Sequence, residues 1–307
     1  MTKVKAHIYG ETHANHAYQN DQHTAEIEVT TTDNQYINEA QIVERYDVSD
    51  LTKRYQNREY FQHSLRAEFK LLNYSADDPE QLNSPYEIVN TGSRQDEKQL
   101  HLNSSTLDVL YTNNVSVLLE PPQKDLAEQF WTIVDNQCVD NIILLAKGNE
   151  KISEFYPMLD DILRINYFEI YLDSAERMNK NIMLLTLNLQ NKTTQSIRQI
   201  KMFKTNVSEY PTVQTLCFVV DKASEIRGAP VLIINSKMAD LSVCGVLTVC
   251  LNVIYAIKNG SPFSVLGNAM VANKNNRRFF KNCDDYELCY KVLERYLEAV
   301  QTYDFIE

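Results

Sequence analysis

Residues 229–257 read APVLIINSKMADLSVCGVLTVCLNVIYAI, and this stretch decides the fold class. The continuous apolar run from Ala229 to Ile234 predicts a strand buried on both faces. The polar residues from Asn235 to Ser242 predict a loop, and the apolar run from Val243 to Ile257 predicts a buried helix. Because that run has only about fifteen residues, it is too short to span a bilayer. The stretch therefore predicts the strand–loop–helix unit of an α/β domain.

The flanking sequence predicts a sheet with helices packed on it. A helix is predicted from Lys124 to Gln137, and the apolar run from Asn141 to Ala146 predicts a second buried strand. Short apolar runs between 64 and 120, broken by turn residues, predict strands joined by loops. Further predicted elements are antiparallel strands at 165–173, 182–190 and 196–204, and helices at 217–224, 263–275 and 283–303. The fold class is α/β, with helices packed on a largely β core.

The N-terminal residues differ in composition from the rest of the chain. Residues 1–45 are rich in Thr, Asn, Gln and His and poor in apolar periodicity, which predicts a flexible polar tail. Between Gln41 and His63, apolar and charged residues follow a helical spacing, so we expect this segment to pack on the main domain. We therefore divide the chain into a tail, 1–45, and one domain, 46–307.

Charge and cysteine usage exclude some functions. The formal net charge of −11 argues against a nucleic-acid partner, which selects basic surfaces, and mildly against an anionic membrane. The first residues contain no apolar core of the kind a signal peptide needs. The six cysteines form neither a CxxC pair nor a disulfide framework, which predicts reduced thiols. We expect a protein of the cytoplasm or nucleus with no membrane span, no metal and no cofactor.

Three places, in order along the chain, resemble the protein tyrosine phosphatase domain. The sequences of Glu120–Pro122, Phe130–Val134, which holds the single tryptophan, and Ile142–Leu145 are similar to that family's QGP…FWxMVW…IVML stretch. The strand, loop and helix of 229–257 fall where the family keeps PVVVHCSAGxGRTGTF. Lys281–Tyr286 occupies the position of its QTxxQY segment.

Two further similarities lie nearer the N-terminus. Leu102–Ser105 is similar to the family's INAS strand, and Arg66–Phe69 sits where KNRY is found. Together the matches cover residues 60–303. The resemblance implies a central mixed, highly twisted β-sheet flanked by helices.

The resemblance also implies which positions carry the chemistry. Phosphotyrosine hydrolysis in that family needs a thiolate nucleophile, a loop at a helix N-terminus whose amides hold the phosphate, and a bidentate arginine. The nucleophile position holds Asn235, whose carboxamide is not a strong nucleophile, and the histidine before it is replaced by Ile234. The arginine position holds Leu241, which has no donors. Asp240 would place a carboxylate where the phosphate dianion binds.

The whole phosphate loop is therefore expected to be degenerate. Its residues are Asn235, Ser236, Lys237, Met238, Ala239, Asp240, Leu241 and Ser242, of which Ser242 alone keeps the family's residue type. Lys237 offsets one negative charge but does not rebuild the cradle.

Positions outside this loop differ from the family's pattern in the same way. The general-acid loop, WPDxGxP in the family, falls near Val207–Pro211, where Glu209 is the nearest carboxylate and no Trp-Pro-Asp occurs. The water-positioning glutamine is replaced by Lys281 or a neighbour. Phe69 stands where an aromatic ring wedges the phosphotyrosine.

The sequence thus predicts a pseudophosphatase, a catalytically inactive domain that serves as a protein-binding scaffold or adaptor. Protein partners are expected, and phosphotyrosine capture is not, because Asp240 and Leu241 both oppose a phosphate. Three alternatives remain open: an active hydrolase with Ser242 or Cys244 as nucleophile, an unrelated α/β binding domain, and a self-associating structural subunit.

Other chemistry-bearing residues have ordinary structural explanations. The spacing of His13, His16 and His23 matches no structural zinc site. The paired carboxylates Asp160-Asp161 and Asp284-Asp285 are expected in turns or helix caps. The basic and aromatic residues of 277–281 predict a solvated helix end or part of a partner site.

Overall fold

The computed structural model describes residues 58–77, 109–112, 114–148, 150, 152, 155–207, 211–225 and 230–304. The predicted tail, Leu102–Ser105 and Glu209 lie outside these residues, so the predictions made for them stay predictions.

A mixed sheet of eight strands forms the centre of the described part of the chain. The strands are β1 Val109–Thr112, β2 Val115–Leu118, β3 Asn141–Ala146, β4 Ile162–Ile165, β5 Phe168–Arg177, β6 Ile182–Asn191, β7 Ser196–Asn206 and β8 Val231–Asn235. Their order is β1-β2-β8-β3-β7-β6-β5-β4. Strands β2, β8, β3 and β7 run parallel, and every other pair is antiparallel. The predicted α/β class with a mixed sheet is confirmed.

Helices pack on both faces of this sheet. They are α1 Arg58–Asp77, a 3₁₀ turn at Lys124–Leu126, α2 Ala127–Asn136, α3 Val213–Ala223, α4 Leu241–Lys258, α5 Val265–Asn275 and α6 Cys283–Asp304. Thr212, Asp240 and Ser264 precede α3, α4 and α5, and each side chain accepts a hydrogen bond from a backbone amide in the first turn. Such N-caps fix where each helix begins, because they satisfy amides that have no partner within the helix.

Two apolar cores lie on opposite faces of the sheet, which explains the continuous apolar runs of its central strands. In β3, Ile143 and Leu145 face the first core, formed with α1 and α3 to α6. Ile142 and Leu144 face the second core, formed with α2. Because successive side chains of a strand point to opposite faces, a strand covered on both sides must be apolar throughout.

Helix α4 lies at the centre of the first core. Every residue from Ser242 to Ile254 is buried. At 18 residues the helix is longer than the predicted run, so its length and composition alone would allow it to cross a membrane, contrary to the argument from the sequence. However, 72% of its 18-residue apolar window is buried against the rest of the chain. That burial is typical of a core helix, as the sequence predicts for 243–257.

The prediction of strands and loops from 64 onwards is wrong in its first part. Residues 58–77 form α1, and Arg66–Phe69 lies inside this helix. Phe61, Leu65 and Leu72 are buried along it, at the spacing of one helical face. Contacts with α5 and α6 stabilise the helix there, and they come from residues far away in sequence, such as Asn273, which is 201 positions from Leu72.

Some of the predicted boundaries and one predicted surface also change. The predicted loop 235–242 shrinks to Ser236–Asp240, because Asn235 continues β8 and Leu241 begins α4. Helix α3 begins at Val213, before the predicted residue 217. The predicted basic and aromatic patch is basic alone, because Phe279 and Phe280 are buried.

Candidate functional site

The candidate site is the loop Ser236–Asp240, hereafter the β8–α4 loop, at the carboxyl edge of the parallel strands. Strands β8 and β3 end side by side here, with Asn235 opposite Leu145. The Ser236 amide continues the ladder by donating to the Leu145 carbonyl at 2.9 Å. In open α/β sheets, ligands bind outside this edge, where a strand order reverses and helix N-termini point outward.

The side chain of Asn235 forms hydrogen bonds with both ends of the β8–α4 loop. Its side-chain Nδ2 donates to the Ser236 carbonyl at 2.9 Å and makes a longer contact of 3.4 Å with the Ala239 carbonyl. Its Oδ1 accepts from the Cys244 thiol at 3.3 Å. Asn235 is 5% exposed, so these contacts replace water. Asn235 therefore fastens both ends of the loop to the first turns of α4.

The loop satisfies some of its own amides. The Ala239 amide donates to the Ser236 carbonyl at 3.1 Å and to Ser236 Oγ at 3.2 Å. The Ser242 amide, in the first turn of α4, donates to Asp240 Oδ1 at 3.0 Å. Amides bonded within the loop are not available to an external anion without rearrangement.

Asp240 places a negative charge at the N-terminus of α4. Besides capping the helix, Asp240 Oδ1 accepts from Lys281 Nζ at 2.8 Å. Burial opposes ionisation of this carboxyl, but the bonds from Lys281 and from Ser242 outweigh burial and hold the pKa of Asp240 below its ordinary value. The positive end of the helix is thus neutralised by the chain's own carboxylate.

A second ion pair ties the other side of the loop to the segment after β2. Lys237 Nζ lies 3.0 Å from Glu120 Oε2, and both side chains are exposed. Each lysine at the site therefore faces a carboxylate. From the sequence we expected Lys237 to offset one negative charge. In the structure Lys281, which lies just before α6 and 41 residues from Asp240, pairs with Asp240.

The remaining loop residues divide between solvent and core. Met238 is 62% exposed. Leu241 is partly buried and packs against the first core, so its side chain is directed into the domain. Ser242 is buried. In α4, burial raises the pKa of the Cys244 thiol far above its ordinary value, with a smaller contribution from Asp240.

Other residues singled out from sequence lie in structural contacts. The Phe69 ring stacks on Tyr286 at 6.5 Å between centroids. Asp284 and Asp285 occupy the first turn of α6, and the Asp285 carboxylate accepts from the Lys281 amide. Asp160 lies in an exposed turn with φ of 65°. Within the described residues, no group of three or more His, Cys, Asp or Glu is placed to hold a metal ion.

The comparisons with known proteins match this architecture. The protein-tyrosine phosphatase family model matches residues 81–295, more than two thirds of the chain. The chain belongs to the protein tyrosine phosphatase family. The alternative of an unrelated α/β binding domain is thereby excluded. A search of curated proteins found no match.

Solved structures of this family share the fold at low sequence identity. The catalytic domain of human protein tyrosine phosphatase non-receptor type 18 superposes with a TM-score of 0.57 at 14% identity, covering 76% of this chain and 96% of that chain. A complex of PTPN18 with HER2 phosphopeptides gives a TM-score of 0.57 at 14% identity, covering 76% and 93%. A further PTPN18 structure gives 0.54 at 15%, covering 64% and 74%. At these identities the likeness shows the fold alone.

Sequence reasoning missed two partners at the site. Glu120 was quoted for its similarity to the family's QGP stretch, but not as the partner of Lys237. The Cys244 thiol bonds to Asn235, nine residues away. That spacing is a usable signal, since the last strand residue before a tight turn faces the first turns of the helix that follows.

Proposed function

We propose that this domain does not hydrolyse phosphotyrosine and serves as a protein-binding scaffold or adaptor, a pseudophosphatase. The observation that carries the proposal is the Asp240 carboxylate at the N-terminus of α4, bonded to the Ser242 amide and to Lys281. A helix N-terminus attracts one anion strongly, and here the chain supplies it. A phosphate dianion would have to displace this carboxylate or lie beside it, and two like charges at close range repel.

Among the residues that the structure describes, the groups near the loop also offer no suitable nucleophile. The Asn235 carboxamide has both ends engaged, and it is not a group that forms a phosphoenzyme. An active hydrolase built on Cys244 is disfavoured, because that thiol is buried and its raised pKa keeps it protonated. Ser242 is buried too. The one histidine among the described residues, His63 in α1, is exposed and makes no hydrogen bond to Ser242 that would let it act as base.

The described loop residues also lack a side chain that could bind a phosphate with two hydrogen bonds. Leu241 packs against the first core and has no donors. Lys237 and Lys281 already face Glu120 and Asp240, so the four charges at the loop cancel. A neutral site lacks the electrostatic gain that a dianion needs to leave water. Unphosphorylated protein surfaces therefore fit this site better than phosphotyrosine, and we place such partners in the cytoplasm or nucleus.

An aryl phosphatase assay tests the enzymatic half of the proposal. We expect the purified chain, Asn235→Ala and Leu241→Ala to hydrolyse p-nitrophenyl phosphate equally, at the rate of buffer. The catalytic domain of human non-receptor type 18 phosphatase, assayed in parallel, verifies the conditions. Turnover by the wild type above the Leu241→Ala variant would overturn the reading.

Affinity capture from native cells with mass spectrometry tests the scaffold half. We expect at least one stoichiometric protein partner whose retention is unchanged when phosphatase treatment removes tyrosine phosphorylation. Light scattering of the purified chain addresses the remaining alternative, because a self-associating subunit would give the mass of an oligomer. Retention that requires tyrosine phosphorylation would contradict the proposed partner class.

A further inference from the structure

The outer edge of strand β5 is unpaired over more than half of its length. Strand β4 pairs with β5 only from Phe168 to Tyr171, and β4 is the last strand of the described sheet. Strand β5 continues to Arg177, so residues 172–177 have no strand on their outer side within the part of the chain that the structure describes. Residues 173–177 are all exposed. We call residues 172–177 the bare edge.

The backbone of the bare edge has the geometry of a regular strand. Beyond a bulge at Asp173, residues 174–177 pair with residues 183–186 of β6 in a regular antiparallel register. In such a ladder, every second residue directs its amide and its carbonyl away from the neighbouring strand. The bare edge therefore offers about four hydrogen bonds to an added strand, and extended peptides dock on sheet edges in this way.

Exposed apolar side chains flank the bare edge. Of the seven large hydrophobic side chains that are exposed in the described part of the chain, four lie here. They are Met158, Leu159 and Ile162, in or next to the turn before β4, and Met183 on β6. Ile162 pairs with Tyr171, so this turn lies where β4 ends and the bare edge begins. Met183 pairs with Arg177 at the other end. Apolar side chains grouped on a surface are typical of interaction sites.

The charge of this surface distinguishes between possible occupants. Four exposed carboxylates form no ion pair with any residue that the structure describes, namely those of Asp160, Asp161, Asp173 and Glu176. Only two cations, Arg177 and Lys180, follow them at the far end of the edge. A second copy of the chain would add its own excess of negative charge, and the net charge of −11 opposes contact between copies further. A basic strand is attracted instead.

We infer that an extended segment of a protein partner, in which basic and apolar residues alternate, adds as a strand along the bare edge. Its backbone pairs with residues 174–177, its basic side chains pair with Asp173 and Glu176, and its apolar side chains pack on Met158 and Leu159. The inference rests on the proposed scaffold role, to which it assigns a surface and a partner class. It does not involve the β8–α4 loop, because β5 lies four strands from β8, or ~19 Å at about 4.8 Å per strand.

Binding of synthetic peptides to the full chain tests the inference. The probe is a fluorescein-labelled peptide of about eight residues that alternates valine with lysine, measured by fluorescence anisotropy at about 50 mM salt. We expect saturable binding. A peptide with glutamate in place of lysine should bind at least about tenfold more weakly, and so should the lysine peptide with methylated backbone amides, which cannot donate to the edge.

Hydrogen exchange locates the bound peptide. The lysine peptide should slow exchange at amides of residues 174–177. Exchange in β1, the other outer strand of the described sheet, should stay unchanged, because β1 contacts α5.

Charge reversal on the edge tests the same contact from the side of the domain. Asp173→Lys with Glu176→Lys should weaken binding of the lysine peptide about tenfold, because two attractions become repulsions. The control Asp125→Lys with Asp284→Lys makes the same change in net charge at exposed positions outside the edge, and it should leave the affinity unchanged. Circular dichroism verifies that both variants fold.

The results that would overturn the inference are distinct from those of the phosphatase assay. They are absence of saturable binding, equal binding of the three peptides by the wild type, protection outside residues 174–177 alone, and equal loss in the control variant. A dimer in light scattering that dissociates on Asp173→Lys with Glu176→Lys would also overturn it, because the bare edge would then belong to a second copy. Phosphatase activity of the chain would contradict the loss of catalysis and leave the peptide result unaffected.

Discussion

Replacing Asn235 tests directly whether its side chain stabilises the β8–α4 loop by hydrogen bonding. Asn235→Ala removes the 2.9 Å bond to the Ser236 carbonyl and the longer contact to the Ala239 carbonyl, and it leaves the Cys244 thiol without its acceptor. A buried neutral hydrogen bond contributes about 1 kcal/mol, and a buried group left unpaired costs about 1 kcal/mol or more. We therefore expect the free energy of unfolding to fall by about 2–3 kcal/mol.

A near-isosteric variant separates hydrogen bonding from packing. Asn235→Asp keeps the shape of the side chain, but a carboxylate is an acceptor, and it would face the carbonyl oxygens of Ser236 and Ala239. Burying that charge against two carbonyl oxygens, with the weak Cys244 thiol as its donor, costs more than losing the amide. We expect Asn235→Asp at pH 7 to destabilise the domain more than Asn235→Ala does.

Urea unfolding followed by the fluorescence of Trp131 measures both variants. Trp131 is the single tryptophan and is fully buried in the second core, so its emission reports global unfolding. Asn136→Ala, at an exposed helix position, serves as the control and should change stability by less than about 0.5 kcal/mol. An Asn235→Ala variant as stable as this control, or an Asn235→Asp variant no worse than Asn235→Ala, would refute the role of the carboxamide.

Three further predictions concern the same region. Asp240→Asn keeps the N-cap but removes the charge. Because the pKa of Asp240 is lower in the folded state, its charge stabilises the fold above the unfolded pKa of about 4. This stabilisation is lost as the pH falls through the lower folded pKa. The melting temperatures of wild type and variant should therefore differ at pH 7 and converge as the pH falls below the unfolded pKa, and a difference independent of pH would contradict this. Gly245→Ala should destabilise the domain by about 1–3 kcal/mol in thermal unfolding, since the added Cβ would lie 2.6 Å from the Cβ of Phe279; an unchanged melting temperature would argue against tight packing there. Iodoacetamide at pH 8 should label the exposed Cys138 and spare Cys244 in the native chain, as peptide mapping will show; labelling of Cys244 before unfolding would revive the hydrolase alternative.

Much of the fold could be predicted because burial on both faces of a strand, or all round a helix, leaves a direct trace in sequence. The run Asn141–Ala146 was predicted with its observed bounds, and α4 within two residues at either end. Helix α1 could not be predicted in this way. Its buried residues are few among many polar ones, and its stability comes from distant contacts, such as the bonds from the Tyr286 and Tyr290 hydroxyls to Glu68.

Sequence by itself determined the family and the residue types at the loop, because both follow from the order of residues along the chain. It places Asn235, Asp240 and Leu241 in the loop between a buried strand and a buried helix. Tertiary structure alone decided which charges meet. Lys281 reaches Asp240 and Glu120 reaches Lys237 because separate elements converge at one edge of the sheet. Coulomb energy depends on distance through space, and spacing along the chain does not fix that distance.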